Sequence, residues 1–116
     1  MILEVAILNV RGGLEREFEA AFAQASPIIA SMPGYISHQL QRCAETPNRY
    51  ALLVNWTSLE AHIVGFRGSP EYQRWKQLLH HFYDPFPTAE HYALVAQNAA
   101  QARAGRGLAR LEVTAH

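Results

Sequence analysis

One cysteine, Cys43, is too few for a disulfide within the chain, so the framework does not need an oxidising compartment and fits a reducing cytoplasm. We read Cys43 as an ordinary strand-end residue. Charge of one sign is not in excess either: ten basic side chains stand against ten acidic ones, for a formal net charge of zero. A chain without a basic surplus lacks the electrostatic footprint of nucleic-acid or anionic-membrane binding, and neither partner is expected. No run approaches the ~18 apolar residues of a membrane span. The opening MILEVAILNV lacks a basic leader and a small-residue cleavage site, and Glu4 interrupts it, so it reads as a strand rather than a signal peptide. Gly-rich phosphate loops, dinucleotide fingerprints and G-x-S-x-G are missing, as is any Cys-His nucleophile setting. No flavin or nicotinamide site is expected, and the chain should work without a tightly bound cofactor.

Six histidines are present, yet none form H-x-x-x-H. His80 and His81 are adjacent and point about 100° apart on a helix, so they cannot readily chelate together. A site assembled through the fold from His62, His81, His91 and a carboxylate is the one open metal arrangement; the expectation is no metal.

What remains is a core-forming chain of 116 residues, 49% hydrophobic and 17% charged. That length suits one domain. Residues 2–10 read as a strand apolar on both faces, with Ile2, Ala6, Leu8 and Val10 on one and Leu3, Val5, Ile7 and Asn9 on the other. After the Arg11-Gly12-Gly13 turn, Leu14, Phe18, Ala21, Phe22, Ala25, Ile29 and Met32 recur at helical spacing. Pro27 should kink that helix, and Met32-Pro33-Gly34 should end it. Two strands follow, Tyr35–Cys43 and Arg49–Trp56, with Ala44–Asn48 as the hairpin loop.

Thr57-x-x-Glu60 has capping-box spacing, which predicts a short helix broken at Gly65 to Gly68. Ser69-Pro70 then opens a longer helix with Tyr72, Trp75, Leu79 and Phe82 inward. Asp84-Pro85-Phe86-Pro87 stops it, and Glu90–Ala96 reads as the last strand. The order is βαββαβ, a ferredoxin-like α+β arrangement with an antiparallel sheet. Helices cover one face of such a sheet. Since two strands are apolar on the other face too, that face should pack on a second copy, giving a homodimeric α/β barrel. The domain is expected over residues 1–96. Residues 97–116, rich in Ala, Gly and Arg, read as an extension forming a weak helix or a loose tail.

Several residues bear chemistry. Asn9, an amide in an apolar strand, either bonds the neighbouring turn or donates into a cavity between sheet and helices. His62, one turn into the short helix, is either a satisfied core histidine or a proton carrier. Phe66, Tyr72, Trp75 and Phe82 form either plain core or the wall of a flat aromatic pocket. A cavity of about 300 Å³ or more beside Asn9 and His62 would favour ligand chemistry, and a tight core would favour a structural role.

The order of Asn9, the NWTSLEAH…FRGSPEYQRW run and the closing Glu90-His91-Tyr92 resembles the antibiotic biosynthesis monooxygenase family over residues 1 to about 96. The resemblance implies a homodimeric barrel and, in some members, oxygenation of anthrones or quinols by O₂ without metal or flavin. It implies His62 as base with His81 in reserve, and Asn9 as a donor to the developing oxyanion together with Tyr72 or Trp75. His91 joins Phe66, Tyr72, Trp75 and Phe82 as a substrate-binding candidate. The haem-degrading branch matches at Asn9 but departs elsewhere: Phe66 stands at its Trp position, and its haem-ligating His falls near Trp75. Haem degradation therefore ranks third, behind a non-catalytic dimer that binds a small ligand.

Overall fold

Strand pairing organises the molecule. The computed structural model describes residues 1–101, so the expectation for most of the extension lies outside the described residues. β1 (Ile2–Asn9), β2 (Tyr35–Arg42), β3 (Arg49–Trp56) and β4 (Ala89–Tyr92) form one antiparallel sheet in the order β2-β3-β1-β4. Helices α1 (Glu15–Ala30) and α2 (Pro70–Leu79) join them, with a π-helical segment at Ala61–Phe66 and a 3₁₀ turn at His80–Phe82. This is the α+β, ferredoxin-like βαββαβ order expected from the sequence.

Alternation decides what each strand buries. In β3, Tyr50, Leu52, Val54 and Trp56 are buried beneath the helices, while Ala51, Leu53 and Asn55 are only partly covered. In β1 the covered parity is Glu4, Ala6 and Leu8, and Val10 continues it. From above, α1 sends down Phe18, Phe22, Ala25, Ile28 and Ile29, and α2 sends down Trp75 and Leu79. Phe18 packs against Tyr50 at a centroid distance of 4.9 Å. Opposite, Ile7 and Ile36 are 44% and 46% exposed on a face that no helix covers.

Three local expectations change. The segment after β3 is capped by Ser58, whose Oγ accepts from the Ala61 N–H at 3.1 Å, rather than by Thr57. It is also wider than an α-helix and runs through Gly65 to Phe66, its i→i+5 geometry seen in the Arg67 N–H bond to the His62 carbonyl at 3.1 Å. The last strand stops at Tyr92, not Ala96, because its partner β1 runs out: Leu3 pairs with Tyr92, and only Ile2 lies beyond it in β1.

Gly34 locks the start of β2 against the π-helical segment. Its φ is +84°, and a Cβ there would lie 2.5 Å from the Ala61 Cβ and 2.9 Å from Thr57 Oγ1. The Gly34 carbonyl accepts from the Thr57 N–H at 2.8 Å, so the glycine sets where the following segment begins.

Candidate functional site

A half-open cleft of about 80 Å³ lies between the sheet and the second half of the chain. Its floor is β1 and β3, through Glu4, Ala6, Leu8 and Leu52, and its walls are His62, Phe66, Tyr72, Trp75, His80 and Tyr83. The loop after the 3₁₀ turn contributes Phe86, Pro87 and Thr88, and Arg67 supplies a cation.

The π-helical segment directs both His62 and Phe66 inward, and both are buried. The His62 ring stacks on Trp56 at 5.4 Å and 18°. Its Nδ1 lies 2.8 Å from His91 Nε2, and its Nε2 lies 3.4 Å from Glu4 Oε1. That same Glu4 oxygen accepts from the Trp56 indole N–H at 3.0 Å. Four side chains from β1, β3, the π-helical segment and β4 are thus linked, with Glu4 and His62 buried at the cleft wall, Trp56 beneath them and His91 partly buried behind.

Burial dominates its electrostatics. Desolvation raises the Glu4 carboxyl above the ordinary carboxylate range, against the lowering effects of the Trp56 hydrogen bond and the Arg67 charge. Desolvation first, then Arg67 and His91, pushes His62 down to about 4. His91 is lowered by burial and Arg67. Glu4 and His62 therefore meet as close neighbours, 3.4 Å apart, both biased by burial toward their neutral forms rather than toward a full ion pair. His80, pushed down to about 4 by burial and Lys76, is also neutral at pH 7. Neither the Trp75 indole N–H nor the Tyr72 hydroxyl hydrogen-bonds a side chain among the described residues, and both line the cleft.

The cleft gathers four of the sequence candidates: His62, Phe66, Tyr72 and Trp75. His91 stands behind His62 rather than at the cleft surface. Three others fall elsewhere. Asn9 shares the uncovered face with Val5 and Ile7, so it cannot donate into a space between sheet and helices; its Oδ1 accepts from Arg49 Nε at 3.2 Å. His81 is exposed, because the 3₁₀ turn shifts the helical phase and presents His80 instead. Phe82 packs into the core against Phe18 at 5.7 Å. Sequence reasoning missed Glu4, Trp56, His80 and Tyr83 as site residues. The one available signal was a carboxylate on the same strand parity as Ala6 and Leu8. Among the described residues, no three His, Cys, Asp or Glu side chains are grouped to hold a metal ion.

The family model for antibiotic biosynthesis monooxygenases matches residues 1–78. The chain belongs to the antibiotic biosynthesis monooxygenase family. Within and around it, the uncharacterized protein YczJ of Bacillus subtilis is 59% identical over 92 residues, spanning 79% of this chain and 97% of YczJ. A crystal structure from Bordetella bronchiseptica assigned to antibiotic biosynthesis monooxygenases superposes with a TM-score of 0.79 at 36% identity, covering 82% of this chain and 97% of that one. SnoaB of Streptomyces nogalater, a cofactor-independent oxygenase, gives a TM-score of 0.61 at 27% identity over 84% of this chain and 94% of SnoaB. The family match ends within α2, so β4 and His91 lie beyond it.

Proposed function

We propose that the chain is a monooxygenase that oxidises a small aromatic substrate of the quinol or anthrone type with O₂, without a tightly bound cofactor. The observation that carries this reading is the buried Glu4 and His62, backed by His91, facing a cleft walled by Phe66, Tyr72 and Trp75. Family membership and the likeness to SnoaB support the reaction class.

In this reading the proton leaving the substrate hydroxyl or activated CH₂ passes to His62, backed by Glu4. Glu4 Oε1 lies 3.4 Å from His62 Nε2, near enough for its charge to favour the imidazolium as that forms. The carbanion or phenolate gives one electron to O₂, and the substrate radical and superoxide combine to form a C–O bond. Loss of water from the resulting hydroperoxide leaves a carbonyl. One oxygen atom stays in the quinone and the other leaves as water, so the redox chemistry is the substrate's own. Trp75 and Tyr72 would donate to the developing oxyanion in place of Asn9, and the apolar walls would exclude water.

The enclosed volume bears on the size of the ligand. At about 80 Å³ it falls short of the ~150 Å³ that holds a benzene ring in a closed cavity, so a substrate must enter through the open side and project past Phe86. The volume also lies below the ~300 Å³ expected of a ligand-chemistry cavity, and Asn9 is not beside it, so by that measure the tightness counts toward a structural role for these side chains. Haem degradation stays third: by the family resemblance that branch's haem-ligating histidine falls near Trp75, and Phe66 stands at its Trp position.

We further propose a homodimer through the uncovered sheet face. A trough of about 730 Å³ there is lined by Leu3, Val5, Tyr92, Leu94 and Val95, and Val95 is 95% exposed. An apolar face of this kind calls for a partner, and an identical face can supply one. Sedimentation of the protein and of Val5→Asp tests it: a dimer that the variant splits is expected, and a monomeric parent protein would overturn it.

Oxygen uptake over a panel of anthrones and quinols, with chelator-treated protein and autoxidation subtracted, tests the activity. Uptake that needs intact protein, ignores chelator and falls in His62→Ala supports the monooxygenase. No uptake above background favours the ligand-binding dimer.

A further inference from the structure

We infer that the cleft selects an acidic aromatic, bound as its phenolate or carboxylate, and that Arg67 is the residue that recognises the anionic oxygen. The inference rests on the proposed reading of the cleft as an aromatic site and names the substrate class within it.

Two groups able to carry a full charge at neutral pH line the cleft besides its histidines: Glu4 and Arg67. Glu4 is 7% exposed and is occupied by the Trp56 indole and His62, and burial biases it toward the uncharged acid. Arg67 differs on each count. It is exposed, and among the described residues it makes no ion pair, whereas Arg11 and Arg42 each hold a carboxylate. Its field also reaches into the site, being felt at Glu4, His62, Tyr72 and His91. The cleft therefore offers aromatic faces, two neutral histidines and one uncompensated guanidinium. An uncharged arene would leave that cation unanswered, while an aryl carboxylate or phenolate would pair with it.

Backbone geometry fixes the guanidinium's origin relative to the proton acceptor. Arg67 is the residue that closes the π-helical segment, with its N–H on the His62 carbonyl at 3.1 Å. A planar guanidinium matches a carboxylate through two parallel bonds and can lie against an aromatic wall, neither of which an ammonium does as well. During turnover the same charge would favour the anion that must form before O₂ can take an electron. Arg67 would thus act on both binding and the proton-transfer step.

The test compares 1-naphthoate with the isosteric 1-naphthamide in NMR titrations followed at the Trp75 indole and the Arg67 amide. With the unmodified protein, naphthoate should bind about tenfold more tightly, the scale of one partly exposed charge-assisted hydrogen bond. In Arg67→Gln the ratio should fall to about one, Arg67→Lys should keep part of it, and naphthamide affinity should not change. Because Arg67 is exposed, the variant's melting temperature serves as a folding control. Equal affinities in the parent, or a preference that survives Arg67→Gln, would overturn charge selection while leaving the aromatic cleft intact. Failure of both probes to bind at millimolar concentration would overturn the inference and the aromatic-site reading together.

Discussion

Replacing Trp56 with phenylalanine would test the polar group at the cleft wall without touching the cleft's opening. Trp56 is fully buried, stacks on His62 at 5.4 Å, and donates to Glu4 Oε1 at 3.0 Å. Phenylalanine keeps a ring in the stack but removes the N–H and part of the indole volume. The orphaned acceptor should cost ~1–3 kcal/mol, and the void about 1 kcal/mol more. The expected loss of ~2–4 kcal/mol would appear as a fall of roughly 10–15 °C in Tm. A thermodynamic cycle with Glu4→Leu separates the two contributions, since the hydrogen bond is missing in that background and only the void remains. Urea denaturation of the four proteins should give a coupling of ~1–2 kcal/mol, and a value under about 0.5 would mean that the bond contributes nothing. The titration of Glu4 provides an independent check. The indole N–H lowers the carboxyl's pKa against the larger effect of burial, so its removal should drive Glu4 further upward. A downward movement in carboxyl ¹³C shifts would refute the electrostatic reasoning.

His62→Ala should lower turnover by about 100-fold, the lower range for a general base, with a stability loss near 2 kcal/mol; equal and modest losses of both in kinetics and melting would reassign His62 to packing. Because His62 is pushed down to about 4, the acid limb of the rate profile should fall near pH 4 rather than near the ordinary histidine value. Stability carries the same signature. An imidazole depressed in the folded state contributes stability above its unfolded pKa of about 6.5, and loses it as pH drops toward 4. His62→Gln should therefore flatten the acid-side slope by up to about 1.4 kcal/mol per pH unit, read by urea unfolding between pH 6 and 4. Gly34→Ala should destabilise by ~2–4 kcal/mol, combining positive-φ strain with a clash against Ala61, and circular dichroism melts would show it.

The fold was legible because alternation and helical spacing are local signals. Tyr50, Leu52, Val54 and Trp56 mark one face of β3 in the sequence, and the structure buries that face. The site was less legible for three physical reasons. β1 is apolar on both parities, so its pattern could not tell which face the helices cover, and Asn9 fell on the open one. Glu4 looked like a surface interruption because its partner Trp56 is 52 residues away, brought near by the register that pairs Ile2 with Trp56. His80 and His81 differ by one position, and the turn that chooses between them begins only where α2 ends at Leu79.

The wide turn at Ala61–Phe66 makes the site depend on residue count as well as residue identity. Removing one residue from the exposed Ile63-Val64-Gly65 stretch would let the segment tighten to an ordinary helix, in which each position turns by about 100°. His62 and Phe66 would then stand three positions apart and diverge by roughly 60° on the helix surface, so their angles in the wall would change. A shortened homologue could retain His62, Phe66 and Arg67 by type and still present them at different angles. Chain length between Ser58 and Ser69 therefore helps set the geometry of the wall, a dependence that substitutions alone would not expose.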